Sequence, residues 1–428
     1  MQTELLYKCF RECNGVSTDT RQITKDVMFV ALKGANFNGN LFAEEALNKG
    51  ARYVVIDEAQ YKKDDRYLLV EDGLSALQAL AQFRRKQLNI PFIAITGSNG
   101  KTTTKELLNA VLSKKFKTYA TKGNLNNHIG IPLTILAIPD NTEMAIIEMG
   151  ANHQKEIEGY CVIAAPTHGL ITNVGKAHLE GFGGFEGVKK GKGELFAFLK
   201  ANNGVVFVNT SNAHLMEMSA GISTVVKYGS SGDTYAAKLL QADPFIRFVA
   251  ENGEEVTTRL IGEYNFENIS AALCVGKYFN VEANAANAAI AEYDPQNNRS
   301  QVVQYGTARV VLDAYNANPS SMKAAIENFA KLPYEEKWVI LGDMFELGDE
   351  ALSEHKALGA LLSGIPFTKI ILCGKNMSAA AEACKSALYF ADKAALESWF
   401  KTASLGSATI LLKGSRGMKL ESILEEKK

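Results

Sequence analysis

Thr96-Gly97-Ser98-Asn99-Gly100-Lys101-Thr102-Thr103 is the stretch on which the reading of this chain turns. An apolar run at 91–95 precedes it and has the character of a buried strand. A helical pattern follows over 105–116, with Leu107, Leu108, Val111 and Leu112 on one face. Strand, glycine loop and helix in that order are the setting of a phosphate-binding loop. Glycines let backbone N–H groups turn toward phosphate oxygens, and the helix N-terminus adds the positive end of its dipole. Gly97, Ser98, Asn99, Gly100 and Thr103 would line the phosphates, Lys101 would reach the β and γ phosphates, and Thr102 would ligate Mg²⁺. The stretch therefore predicts ATP use. The common pattern G-x-x-x-x-G-K-[ST] has glycine where Ile95 stands, which points away from ordinary GTPases and kinases.

A chain of 428 residues exceeds one typical core and predicts two or three domains. A formal charge of −1 supplies no field to draw the chain to nucleic acid or a membrane. No run is apolar and long enough to span a bilayer. Residues 1–13 carry Glu4, Lys8, Arg11 and Glu12 and lack a signal-peptide core. The six cysteines are scattered, and the one close pair, Cys9 and Cys13, has no matching pair or nearby histidine. That argues against zinc and disulfides and predicts a reduced, cytoplasmic setting.

Working outward from the loop, the segment to residue 89 shows strand-like runs at 27–32 and 53–56 and helical patterns at 41–49 and 74–88. After the loop, strands are predicted at 145–149, 169–174 and 204–209 and a helix at 268–279; D-P-Q-N-N-R-S at 294–300 reads as a linker. Beyond it, strands at 309–314, 338–341, 369–373, 387–390 and 409–412 alternate with helical patterns such as 321–332 and 351–362. This alternation predicts a parallel, doubly wound α/β sheet with ligands at the carboxyl ends of its strands. The expected domains are 1–89, 90–298 and 299–428.

Several polar residues stand at predicted strand tips. Glu148 ends an apolar run, where a carboxylate can hold Mg²⁺ or simply face solvent at a turn. His178, in N-V-G-K-A-H, can ligate a metal or bond a loop. Lys189, Lys190 and Lys192 read as a solvated charge run. Alternatively their mutual repulsion lowers a pKa, and a neutral amine can add CO₂ to give a Mg²⁺-binding carbamate. The run from Asp313 to Ser321 has the chemistry of a turn and helix cap, and also enough polar groups for a ligand site.

Together these segments resemble the Mur ligase family, the ATP-dependent amide-forming enzymes of peptidoglycan synthesis, along nearly the whole chain. The resemblance implies an N-terminal UDP-sugar-binding α/β domain, a central P-loop ATPase-type α/β domain with a mostly parallel sheet, and a C-terminal Rossmann-like α/β domain. It implies catalytic roles for Lys101, Glu148, His178 and Lys192. Thr102 and Glu148 would hold one Mg²⁺, and His178 with carbamylated Lys192 would hold a second. Asn265 and Asn268 would contact adenine, with Arg299 and Asp313 reaching the nucleotide from the last domain. Ser17, Thr18 and Arg21 fall in the segment similar to the UDP-sugar site, and Asn126, Asn127, Tyr315 and Asn316 in segments on the substrate side. Tyr264 stands where many relatives have histidine, and Asn38-Gly39-Asn40 where D-G-H is frequent.

Segments 123–134, 313–322, 341–348 and 412–418 resemble the branch that uses D-alanyl-D-alanine. The implied reaction joins its amine to the carboxylate of UDP-N-acetylmuramoyl-tripeptide through an acyl phosphate, with lysine or diaminopimelate open as the third residue. A monomer closing about a hinge at 294–301 would suffice, with no nucleic-acid or membrane partner. The competing readings are the third-residue-adding ligase, a folylpolyglutamate synthetase, and a non-catalytic UDP-sugar or nucleotide binder. The segment at 313–322 favours the dipeptide-adding branch, and the presence of Lys101, Glu148, His178 and Lys192 favours an enzyme.

Overall fold

Runs of aliphatic, often β-branched residues form the strands of the three largest sheets in this computed structural model, which describes residues 2–295, 299 and 301–425. In the first sheet Val16–Ser17, Met28–Val30, Tyr53–Ile56 and Tyr67–Leu69 lie side by side, all parallel. The second sheet has six parallel strands in the order Thr224–Tyr228, Val205–Asn209, His168–Ile171, Phe92–Thr96, Met144–Glu148 and Thr118–Ala120. Phe92–Thr96 is buried at every residue because helices cover both faces. Its neighbours are the strands that lead into 172–175 and that end in Glu148, so residues far apart in sequence share one sheet edge.

The third sheet runs Gln301–Tyr305, Ala308–Leu312, Thr409–Lys413, Lys337–Gly342, Lys369–Cys373 and Leu388–Phe390. It is parallel except for its first strand, which forms an antiparallel hairpin with the second. The α/β class and the alternation beyond residue 308 match expectation. The hairpin strand and a small antiparallel sheet of Lys238–Ala242, Ile246–Val249 and Glu255–Thr257 were not foreseen. Their strands are short and partly exposed, so they lack a continuous apolar run. Part of the expected linker and hinge, residues 296–298 and 300, lies outside the described residues.

The helix after the loop spans Lys101–Leu112, four residues earlier than its apolar face suggested. Its first turn is polar because it borders the cleft. The lysine run at 189–192 belongs to the helix Phe185–Ala201. Lys192 is turned inward there, at 1 % exposure, among Val188, Leu195 and Phe196. Among the described residues no helix is long and apolar enough to cross a membrane.

The first domain docks on the second through the helix Gly73–Gln87, which packs along Gly130–Leu136 and Glu156–Ala164. Arg84 and Arg85 are buried in this seam. Arg84 donates to Ile138 O (2.9 Å) and Asp140 (2.6 Å), and Arg11 reaches the same carboxylate. Hydrogen bonds from Arg11 and Arg84 hold the Asp140 carboxyl well below the ordinary range. Arg85 donates to the carbonyls of Ala164, Leu88 and Ala165 and lies 3.8 Å over the Phe92 ring. Burial lowers its pKa to about 10, so it stays charged at neutral pH. Arg85→Met retains the apolar stem but leaves three carbonyls without that donor. Urea unfolding should show a loss of about 2–4 kcal/mol, and an unchanged midpoint would show the seam is held elsewhere.

Candidate active site

The phosphate loop is shaped by its neighbour strand. Gly97 has φ +143°, and a Cβ there would stand 2.0 Å from Thr172 Oγ1. Gly100 has φ +80°, and a Cβ would meet Asn268 Oδ1 at 2.6 Å. Only glycine fits either place. Ser98 N donates to Asn173 O (3.0 Å) and Asn99 N to Asn173 Oδ1 (3.0 Å), while Gly175 N donates to Ser98 Oγ (2.9 Å). Lys101 folds back so that Nζ donates to Gly97 O (2.6 Å) and Ser98 O (3.2 Å). Burial pushes its pKa down to about 8, opposed by the Glu148 charge and aided by Arg299.

Glu148 is 2 % exposed. Its Oε1 accepts from Thr102 Oγ1 (3.1 Å) and Asn126 Nδ2 (2.8 Å), and its N–H donates to Thr121 Oγ1 (3.0 Å). Oε2 has no hydrogen-bond partner, and Lys105 Nζ stands 3.9 Å from it. A buried, unbonded carboxylate oxygen beside a threonine hydroxyl at a phosphate loop fits a hard cation that takes oxygen ligands.

Behind the loop the side chains form a chain of hydrogen bonds. Thr104 Oγ1 donates to Asn268 Oδ1 (3.0 Å), Asn268 Nδ2 to Asn265 Oδ1 (2.8 Å), and Asn265 Nδ2 to Ile261 O (2.8 Å). Both asparagines border the cleft, yet these amide groups are engaged within the protein, and Asn268 buttresses Gly100. Tyr264, the departure from histidine, also lines the cleft.

The last domain closes the other side of this cleft of about 540 Å³ with Asp313, Tyr315, Asn316, Asn318 and Lys413. Lys413, 2 % exposed, donates to Asp313 Oδ2 (2.6 Å) and Asn316 O (3.2 Å). Arg299 stacks over Tyr315 at 3.7 Å, with Arg416 at 5.6 Å from the same ring. Ser415 ties three loops: its N–H donates to Asp343 O, its Oγ to Ala317 O, and that Oγ accepts from Phe345 N.

The expected residues thus divide. Lys101, Thr102, Thr103, Ser98, Asn99, Gly100, Glu148, Asn126, Asn127, Asn265, Asn268, Arg299, Asp313, Tyr315 and Asn316 all border one cleft, with Gly97 behind it. His178 borders it too, but is not joined to Lys192 as a metal pair. His178 Nδ1 bonds Glu346 of the last domain, and Lys192 Nζ donates to Ala151 O (3.0 Å). Among the described residues no three His, Cys, Asp or Glu groups form a ready metal site. Ser17, Thr18 and Arg21 lie away from the cleft, on the first domain, where Arg21 closes on Asp19. Of the D-G-H departure, Asn40 is structural: it is 1 % exposed, donates to Asp57 Oδ1 (2.8 Å) and accepts from Asp57 N (3.0 Å). Lys105, Glu346 and Ser415 were not singled out from sequence, and Asn318 only as a turn signal within the polar run 313–321. Lys105 left a signal too, standing one helical turn after Lys101.

A parallel sheet that presents a glycine loop, a lysine and a buried carboxylate at its carboxyl edge, roofed by a second α/β domain, defines a nucleotide-dependent enzyme of the three-domain ligase class. Family models agree: "Mur ligase family, catalytic domain" matches residues 12–85, "Mur ligase middle domain" 95–276, and "Mur ligase, glutamate ligase domain" 298–416. The chain belongs to the Mur ligase family. It is 34 % identical to the UDP-N-acetylmuramoyl-tripeptide–D-alanyl-D-alanine ligase of Bacillus subtilis, over 96 % of this chain and 93 % of that one. With the Escherichia coli enzyme of the same name the identity is 33 %, with the same coverage. A crystal structure of MurF from Acinetobacter baumannii superposes with a TM-score of 0.88 at 29 % identity, covering 99 % of this chain and 97 % of that one. MurF from Thermotoga maritima in complex with ADP gives 0.85 at 26 %, covering 97 % of each chain.

If Lys101 pairs with phosphate, it must carry its proton to do so. Nucleotide affinity should therefore fall as the pH climbs through about 8. Fluorescence titration with an ADP analogue should show that step in the wild type and lose it in Lys101→Met. An identical pH step in both proteins would exclude Lys101 as its source.

Proposed function

We propose that this enzyme joins the carboxylate of UDP-N-acetylmuramoyl-tripeptide to the amine of D-alanyl-D-alanine, coupled to cleavage of ATP to ADP and phosphate. The observation that carries this reading is the convergence of Lys101, Glu148, Arg299, Tyr315 and Asn316 on one cleft between two domains. The relatives that match the chain end to end, and bear that activity in their names, support it.

A carboxylate is a poor acyl donor, and its charge repels nucleophiles. One of its oxygens attacks the γ-phosphorus and the bond to the β-phosphate oxygen breaks, leaving an acyl phosphate and ADP. The dipeptide's amine then adds to the acyl carbon. The tetrahedral intermediate expels phosphate, and the amine proton leaves with solvent or phosphate. Lys101 and the loop N–H groups hold the phosphates in line, and Arg299 supplies a second cation at the same end. Thr102 and Glu148 Oε2 would hold Mg²⁺, which offsets the charge of the reacting anions. Asp313 and the Tyr315–Asn316 turn, fixed by Lys413, face this centre from the domain that brings the amine. The first domain, with Ser17, Thr18 and Arg21, is the place for the UDP end of the acceptor, and its rigid dock on the second sets the distance from UDP to carboxylate.

Lys192 has a role within this reading that the relatives' names do not support: a carbamate on its amine. Its support is chemical, since burial, aided by the charge of Lys101, holds the amine's pKa well below the ordinary value. A neutral amine adds CO₂ readily.

Two measurements test these statements. Phosphate release from Mg²⁺-ATP should require both proposed substrates and yield UDP-pentapeptide by mass; release with the acceptor and a free amino acid instead would move the chain to another branch of the family. Lys192→Ala should lose most turnover, about a hundredfold or more, and short carboxylates should restore part of it. Wild-type turnover without Lys192 would remove the carbamate from the mechanism.

A further inference from the structure

Among the described residues a side-chain pair joins the last domain to the phosphate loop itself. Asn318 Nδ2 donates to Asn99 Oδ1 at 2.8 Å, across 219 residues of sequence. Asn318 is 8 % exposed and is fixed from its own side. Its Oδ1 caps the helix Pro319–Lys331 by accepting from Ser321 N (2.9 Å), and its N–H donates to Ser321 Oγ (3.1 Å). Beside it Lys176 N donates to Ser320 Oγ (2.9 Å), so one turn of the last domain grips both the loop and the strand end that supports it.

Asn99 is held firmly in its main chain by Asn173 and Thr172, but its side chain lines the cleft. A primary amide has one accepting and one donating limb, and only its neighbours decide which way round it sits. With Asn318 on the oxygen, the NH₂ limb of Asn99 is the one left for an anionic ligand. Without that bond the amide can rotate and set its oxygen against phosphate.

We propose that Asn318 is a positioning residue that orients the Asn99 amide, so that the phosphate loop gains its full set of donors only when the last domain is seated. The reactive geometry for phosphoryl transfer is then assembled together with the domain that delivers the amine. This ordering limits loss of ATP to water before the amine arrives. The inference rests on the amide-forming reading given above, and it concerns the interaction of the closed state, so its effect falls on kcat rather than on nucleotide binding to the open form.

Asn318→Asp separates this role from stability. The carboxylate still caps Ser321, but it places oxygen against Asn99 Oδ1. The melting temperature should stay within about 2 °C of wild type, whereas Asn318→Ala, which also loses the cap, should melt lower. In Asn318→Asp, kcat for phosphate release with both substrates should fall about tenfold or more, with the MgATP dissociation constant little changed. On an Asn99→Ala background the same substitution should change kcat by much less, because the group it orients is gone. Hydrogen exchange supplies a readout independent of turnover: MgATP should slow exchange at residues 97–101 more in wild type than in Asn318→Asp. Wild-type kcat in Asn318→Asp would overturn the proposal. So would an equal loss on both backgrounds, or a melting drop as large as that of Asn318→Ala. If the wild type makes no amide from these substrates, the reaction assignment fails, and the exchange comparison alone decides for or against Asn318.

Discussion

A turn whose later N–H groups are to face phosphate cannot use those to hold itself together, so its first half must be tied from behind. Here that support is the strand end at 172–175. The strands Phe92–Thr96 and His168–Ile171 pair in parallel with Ile171 opposite Thr96, which brings both chains out of the sheet at the same height. Asn173 then takes up the N–H of Ser98 through its carbonyl and the N–H of Asn99 through its side chain. On the other flank Ile95 pairs with Glu148, so the carboxylate arrives level with the start of the loop. Slipping either strand by one residue would reverse its side chains and move Glu148 to the opposite face of the sheet. The register of three strands is thus what converts an apolar core into a site.

The site's polar groups are buried under the same discipline. Thr104, Asn268, Asn265 and Ile261 O satisfy one another in sequence, and Lys413 is neutralised by Asp313 at its own strand end. In the last domain His355, fully buried, accepts Met344 N at one nitrogen and bonds Ala351 O at the other, which fixes the loop that carries Glu346 to His178. Against this background Glu148 Oε2 stands out: it has no hydrogen-bond partner, only the Lys105 charge at 3.9 Å.

The placement of the loop, Lys101 and Thr102 after one apolar strand, and of Glu148 at the end of another, was legible in the sequence because apolar runs mark those strands. The parallel sheet of the last domain was legible for the same reason. What escaped depends on partners that sequence does not place together. By pattern Lys192 reads as solvated among three lysines and only the resemblance singles it out; its burial comes from the packing of Val188, Leu195 and Phe196 on its helix. Asn318 reads as a turn residue, with Ser320 or Ser321 expected as the cap; it is itself the cap, and its second bond, to Asn99, exists only because two domains meet. Asn265 and Asn268 were found, but as adenine contacts; their bonds to each other and to Thr104 could not be read from spacing. The His178–Lys192 pairing came from resemblance alone, and in this structure the two side chains face different partners.

The two seams of the molecule are made differently. The first domain lies along the second with a whole helix and two buried arginines. The last domain meets the second loop against loop, through Asn318–Asn99, Lys176–Glu354 and His178–Glu346, with exposed atoms in several of these pairs. Water can replace the exposed Lys176–Glu354 and His178–Glu346 pairs at little cost, whereas it cannot replace the carbonyl contacts of Arg85. Solvent-exposed ion pairs thus stand under the last domain, the cover of the cleft. A small molecule wedged beneath the cover would compete with solvent-exchangeable bonds, while one aimed at the other seam would have to break a packed core.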